Sequence, residues 1–287
     1  MNRQRASRFI GIDLGGGRGK TTALCELTLG ADGGANVTAL NHRAGAEPLH
    51  DDALWSALAH ADPTTTVVAI AAPLTQAACE RCPRPTCPGT ADCEEPSVAW
   101  MREHSSKLLH GPQHGANAGT LGAGLSRVRP LPYLHRATEL HTVYRTQLLS
   151  PSSLSGAGVS IRGRALQVRR RLAGRGFVMN QSMIEVSPMA TVAALCGPVD
   201  ARGYKRDADP WRTRALVLAR FEALRFAPTS RFAREEVLQS DHRFDALICA
   251  YTAYLRQHQG WQIPAEFADF ADDDGWIWTP PSEPRKS

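Results

Sequence analysis

The chain is 287 residues long, 43% apolar and 21% charged, with a formal net charge of +5. That length allows a sizeable core in one large domain or two small ones, and the balance is ordinary for a soluble globular protein. No apolar run approaches the ~18 residues of a membrane-spanning helix, and so modest a charge does not by itself announce a nucleic-acid binder.

Met1 to Arg8 is basic but leads straight into a strand pattern, unlike a signal peptide, so the chain reads as cytoplasmic. Residues 8–14 read as the first strand, which carries one carboxylate, Asp13, to its end, where the glycine-rich turn Gly15-Gly16-Gly17-Arg18-Gly19-Lys20 begins. Burying a carboxylate costs several kcal/mol unless it is compensated. A metal ion or a bound phosphate is the usual compensation, and a simple cap on the glycine turn is the plain alternative. The turn is not a phosphate-binding P-loop, because Leu14 stands where that motif needs its first glycine and a strand follows instead of a helix.

Thr21 to Leu29 and Asn36 to His42 read as two more strands joined by the turn Ala31-Asp32-Gly33-Gly34, which completes an antiparallel meander. A helix from Asp51 to His60 follows, with acidic residues suited to its first turn and Pro63 beyond its end. The apolar run Val67 to Leu74 is a buried fourth strand. A right-handed crossover sets it parallel to the first.

From about Thr75 to Met179 the rhythm breaks, and the stretch 75–180 reads as one long metal-binding insertion in a single domain spanning 1–287. It opens with Cys79-x2-Cys82-x4-Cys87-x5-Cys93, a spacing that suits a closed tetrahedral Zn²⁺ site with a structural role. A [4Fe–4S] cluster is the alternative. Cys25, Cys196 and Cys249 lie singly in apolar surroundings and read as inert core residues. A short helix at 97–109, a glycine-rich stretch at 110–125, a helix at 134–149 and a Ser/Gly loop at 150–158 follow. Then comes a helix bearing Arg162, Arg164, Arg169, Arg170, Arg171 and Arg175 with no acidic residue among them. Such a cluster is the footprint of phosphate-backbone contact, or else a solvated helix face.

Met183 to Pro188 is a short strand carrying Glu185 with no basic residue near it in sequence, so a metal is its expected partner. Helices follow up to Gly197, over 211–224 and over 240–259, and Asp272-Asp273-Asp274-Gly275 is a turn feeding a closing strand at 276–278. Asp241 precedes Asp245 by one helical turn, so both face one side.

The order strand-strand-strand-helix-strand, with an acid in the first strand, describes an α/β fold with a ribonuclease H-like core. In that core a three-stranded antiparallel meander is followed by parallel strands with helices on both faces. Nucleases and the actin-like ATPases share this core. Ile12-Asp13, Ala69 to Leu74, Ile184 to Pro188, Asp241 to Leu247 and Asp274 to Pro280 occur in the order of one family. The chain thereby resembles the domain-of-unknown-function 429 group, whose members are predicted nucleases of that fold. The resemblance implies two-metal phosphodiester hydrolysis of DNA or RNA, with Mg²⁺ or Mn²⁺ held by Asp13, Glu185 and Asp245 and assisted by Asp241.

One position departs from the family pattern: Ala71 stands where the family has Asp, either as natural variation or as a disabling substitution. The protein is therefore expected to be weakly active or inactive. Two other readings stand beside it. A catalytically silent nucleic-acid-binding module accommodates Ala71. An ATP-binding phosphotransfer protein needs a second glycine-rich loop, and Gly119 to Gly124 lacks the strand-turn-strand frame for one.

Overall fold

A computed structural model describes residues 6–16, 21–44, 47–110, 131–146, 148, 156–227 and 231–281. Most of the glycine turn (17–20), most of the glycine-rich stretch expected at 110–125 and residues 150–155 of the Ser/Gly loop lie outside them. The fold is mixed α/β. Strands β1 (Arg8–Asp13), β2 (Ala23–Leu29) and β3 (Ala35–Asn41) form the expected antiparallel meander. A two-residue pair follows, β4 (Arg43–Ala44) with β5 (Glu47–Pro48), apart from the main sheet. Strands β6 (Thr66–Ile70), β7 (Met183–Val186) and β9 (Ile277–Trp278) then continue the main sheet in parallel from β1. An edge strand, β8 (Leu224–Phe226), pairs parallel to β3. The seven-stranded order is β8-β3-β2-β1-β6-β7-β9.

The strands' period-two alternation sorts the apolar residues onto two faces. Phe9, Cys25, Leu27, Val67, Ala69 and Ile184 join one core, and Ile10, Ile12, Leu24, Val68, Ile70 and Met183 join the other. The first face is covered by helix α10 (Asp241–Gln259), buried continuously from Phe244 to Leu255. Ser240 caps its start by accepting from the Arg243 amide, and Gly260, at φ +65°, ends it in the left-handed conformation. The second face is covered by α1 (Asp51–Leu58) through Leu54 and Leu58, and by α5 (Gly156–Ala173) through Ala165, Val168 and Leu172.

The crossover from β6 to β7 contains α2 (Ala78–Arg81), α3 (Pro96–His110), α4 (Ala137–Thr146) and α5. Because α5 forms part of the second layer, the 75–180 stretch is built into the core rather than appended to it. Past β7, α6 (Pro188–Cys196) is capped by Ser187. The helix expected at 211–224 ends early as α8 (Pro210–Leu218), and the chain turns into β8. Besides the short α2, two longer helices among the described residues have no counterpart in the sequence pattern: α7 (Pro198–Arg206), which contains Gly203, and the polar α9 (Arg231–Gln239). The expected turn at Asp272–Asp274 is the short helix α11 (Ala271–Asp274). No helix among the described residues is long and apolar enough to cross a membrane.

Gly11 sets the distance between α10 and the sheet. A Cβ at this position would stand 2.0 Å from the Ala246 carbonyl oxygen and 2.4 Å from the Ala250 amide nitrogen, both backbone atoms that no rotamer change can move. Gly11→Ala is therefore expected to destabilise the protein by about 3 kcal/mol. Urea titration should give a lower midpoint at an unchanged slope.

Candidate functional site

The parallel strands β1, β6 and β7 end together. Beyond their C-terminal ends lies a cavity of about 300 Å³ lined by Asp13, Ala71, Arg136, Glu139, Glu185, Lys205 and Asp245, with Leu148, Ile161, Val186 and Met189 among its apolar walls. Four of the acids proposed from sequence are therefore accounted for here or beside it, but they do not play equivalent parts.

Asp13 is the last residue of β1, and its side chain keeps 14% exposure. Its Oδ2 lies 2.6 Å from Nδ1 of His242, in the first turn of α10. The hydrogen bond to Asp13 raises the His242 pKa against the effect of burial, with help from the charges of Asp13, Asp241 and Asp245. Asp245, one turn further along α10, is 3% exposed. Its Oδ1 accepts from the Tyr204 hydroxyl at 2.8 Å and its Oδ2 from the Lys205 ammonium at 2.5 Å. Burial pushes the Asp245 carboxyl up to about 6, Lys205 pulls it down and the Asp13 charge adds to the rise. Burial alone would lower the pKa of Lys205, yet Asp245, Asp13 and Asp241 outweigh it and raise the value. Asp241 is half-buried near this cluster and accepts from the His242 amide.

Ala71 follows β6, and its amide donates to the Ile12 carbonyl at 2.8 Å. The register pairs Ile12 with Ile70, so the next residues, Asp13 and Ala71, are neighbours on the α10 face. Glu185 does not join them. Ile70 pairs with Glu185, and Ile12 and Ile70 both point into the core behind the sheet, so Glu185 points away from the face that carries Asp13. The residue beside Ala71 on the α10 face is Val186.

Glu185 also has the basic partner that its sequence neighbourhood lacks. Arg136, 0% exposed, reaches it from the crossover in a bidentate pair, Nη1 to Oε2 at 2.8 Å and Nη2 to Oε1 at 2.6 Å. The Leu74 amide donates to the same carboxylate at 2.9 Å. Glu139, one turn beyond Arg136, accepts from its Nε, Nη2 and backbone amide, and Thr75 Oγ1 accepts from Nη1. Burial disfavours the guanidinium charge, but Glu185, Glu139 and Asp274 more than restore it. Gly275 makes room for this network: at φ +79°, a Cβ there would lie 2.6 Å from Thr75 Oγ1.

The arginine-rich helix is largely engaged by the protein itself. Arg162 pairs with Glu80 at 2.5 Å, and Arg164 binds Asp51, the Gly15 carbonyl and the Thr22 hydroxyl. Arg169 donates to the Leu74 carbonyl, Arg171 lies 4.1 Å over the Trp55 ring, and Arg175 donates to the carbonyls of Leu58, Ala59 and Ala61. Arg170 is exposed. Cationic groups so deployed fasten α5 and the residues just past it to the strand ends and to α1.

Cys79, Cys82 and Cys87 are exposed and Cys93 half-buried, and all four are free thiols. Burial, then the neighbouring Cys87, Cys93 and Cys82, raises the Cys79 pKa, so the four sulfurs lie within electrostatic reach of one another. The Gly89 amide donates to Cys87 Sγ at 3.4 Å. Even so, no group of three or more His, Cys, Asp or Glu side chains among the described residues is arranged to hold a metal ion.

Sequence reasoning reaches Asp13, Asp241, Asp245 and Ala71 through their motifs, and it passes over Arg136, Glu139, Tyr204, Lys205 and His242. His242 lies inside the motif Asp241 to Leu247, and Arg136-x-x-Glu139 carries the spacing of a helical ion pair. Tyr204 and Lys205 carry no local signal. Among known proteins, the family described as "Protein of unknown function (DUF429)" matches residues 11–268. No curated protein and no solved structure matches the chain.

Two stability predictions arise from this chemistry. Arg136→Met leaves Glu185 and Glu139 buried without their cation and is expected to cost about 3–5 kcal/mol in chemical denaturation. Asp274, 0% exposed, accepts from the Thr138 amide through Oδ2 while its Oδ1 has no hydrogen-bond partner among the described residues, and burial pushes its pKa from 3.8 up to about 6. The folded state thus binds this proton more tightly than the unfolded chain. Its contribution favours folding below pH 4 and is lost as the pH rises through about 6. Relative to the wild type, Asp274→Asn is therefore expected to gain about 2 kcal/mol between pH 4 and pH 7, read as the difference between the two denaturation curves at each pH.

Proposed function

The chain belongs to the domain-of-unknown-function 429 family, and we propose that it is a phosphodiester hydrolase acting on nucleic acid through one divalent cation, with low activity because of Ala71. The observation that carries this reading is the convergence of Asp13, from the end of β1, and Asp245, from α10, in one cavity where the charge of Asp13 acts on Asp245. The strand order β3-β2-β1-β6-β7, antiparallel and then parallel, supports a ribonuclease H-like core.

Two cations do not fit these residues. Glu185 points away from Asp13 and both its oxygens are taken by Arg136, and Ala71 offers no oxygen. One cation fits. Asp13 and Asp245 supply hard oxygen donors, and the Lys205 ammonium already stands as a cation at Asp245. Mg²⁺ is commonly held by one or two carboxylates together with water and substrate phosphate. A bound cation would polarise the phosphate and activate a water. The protein's own part is to hold the two carboxylates in place: Tyr204 fixes Asp245 from the buried side, and α10 fixes Asp245 and His242 against the end of β1.

The silent nucleic-acid-binding reading draws less support, since five of the six arginines named for it are occupied within the fold. For the ATP-binding reading, Gly119 to Gly124 lies outside the described residues. The four-cysteine loop has donor chemistry suited to Zn²⁺ or an iron–sulfur cluster, but its thiols form no cage, and no step of the proposed reaction runs through them.

Cleavage of labelled single- and double-stranded DNA and RNA in Mg²⁺ or Mn²⁺ tests the proposal. The wild-type chain is expected to cleave weakly or not at all, Ala71→Asp to gain cation-dependent cleavage of at least one substrate, and Asp13→Asn added to Ala71→Asp to lose it. Absence of cleavage from both the wild type and Ala71→Asp would overturn the hydrolase reading in favour of the silent module.

A further inference from the structure

The carboxylates around the cavity divide into two kinds by what caps them. Glu185 is capped by Arg136, whose side chain is 1% exposed and bonded on every nitrogen, so that cap has no room to leave. Asp245 is capped on Oδ1 by Tyr204, 0% exposed and equally fixed, but on Oδ2 by Lys205, whose side chain is 31% exposed. Tyr204 and Lys205 are adjacent in the last turn of α7, so one short segment presents an immovable donor and a movable one to the same carboxylate. The Lys205 ammonium also faces the charges of Asp13 and Asp241 and lies 5.5 Å from the Tyr204 ring centroid.

We propose that Lys205 is a built-in, displaceable counter-ion: its ammonium keeps the Asp13–Asp241–Asp245 cluster assembled when no divalent cation is bound, and it surrenders Asp245 Oδ2 when one enters. The proposal rests on the one-cation reading and concerns a positioning residue rather than a group that touches substrate. The physics is charge competition. Like-charged carboxylates drawn together in a partly buried site repel unless a cation lies among them. A lysine on a flexible four-carbon stem supplies that charge and can withdraw it towards solvent, which a buried guanidinium cannot. A divalent ion entering this site must therefore outcompete the ammonium, and its affinity is set partly by Lys205.

Mn²⁺ binding, measured by calorimetry and by the loss of the free-ion electron paramagnetic resonance signal, tests this without reference to activity. Lys205→Met retains the stem and removes the charge; it is expected to bind Mn²⁺ about tenfold or more tightly than the wild type. Lys205→Gln, which keeps a donor for Asp245, is expected to follow it and covers the case in which the methionine variant is too unstable to handle. Asp13→Asn should weaken Mn²⁺ binding in every background, whereas Glu185→Gln should leave it within about twofold wherever the fold is retained. Mn²⁺ bound equally by the wild type and both Lys205 variants would overturn the counter-ion role while leaving the one-cation reading standing. Mn²⁺ bound by none of the three, with folding intact, would overturn both.

Discussion

Helix α10 lies so close to β1 that the backbone of Ala246 and Ala250 occupies the space a side chain would need at residue 11. Everything distinctive about the cavity depends on that approach. It brings Asp245 and His242 to the end of β1 within reach of Asp13, although more than two hundred residues separate them in the chain. It also lets the buried run from Phe244 to Leu255 cover the apolar face of β1, β2 and β6, so the same contact supplies much of the core and the whole of the acidic cluster. A substitution that lifts α10 off the sheet would disturb stability and site together.

The other fixed element is the buried guanidinium of Arg136. A charge with no exposed surface persists only where its donors are satisfied and its charge is balanced. Here Glu139 and Glu185 meet both conditions, joined by the Thr75 hydroxyl. The network welds the long β6–β7 crossover to β7 and turns Glu185 from a candidate ligand into a structural anchor. With two carboxylates to one guanidinium it remains electrically negative. Burial nevertheless favours the protonated form of Asp274 nearby, against the pull of the Arg136 charge.

Much of this was legible in the sequence. The meander, the parallel β6 and β7 and the apolar helix α10 all follow from the period of their apolar residues, and the motifs single out Asp13, Asp245 and Ala71, which the fold brings to one cavity. The arrangement of Glu185 was not legible, because which face a strand residue takes depends on register, and one residue of slip reverses it. Its partner comes from a part of the chain whose pattern gives no hint of docking there. The same holds for Tyr204 and Lys205, on a helix that Pro198, Gly203 and a polar composition disguise as a loop. The arginine run was legible as charge, but its partners within the fold, among them Glu80, Asp51, carbonyl oxygens and a tryptophan ring, come from distant parts of the chain.

The contact between Gly11 and α10 also bears on how the protein is made. Ribosomes deliver β1 long before α10, so for most of synthesis the groove over residue 11 has no occupant and the apolar faces of β1, β2 and β6 wait uncovered. During that interval Asp13 has neither His242 nor Asp245 beside it, and the acidic cluster does not yet exist. A product cut short before α10 would display a sticky sheet to chaperones and proteases while carrying no assembled centre. The arrangement thus ties the appearance of any reactivity to the completion of the fold.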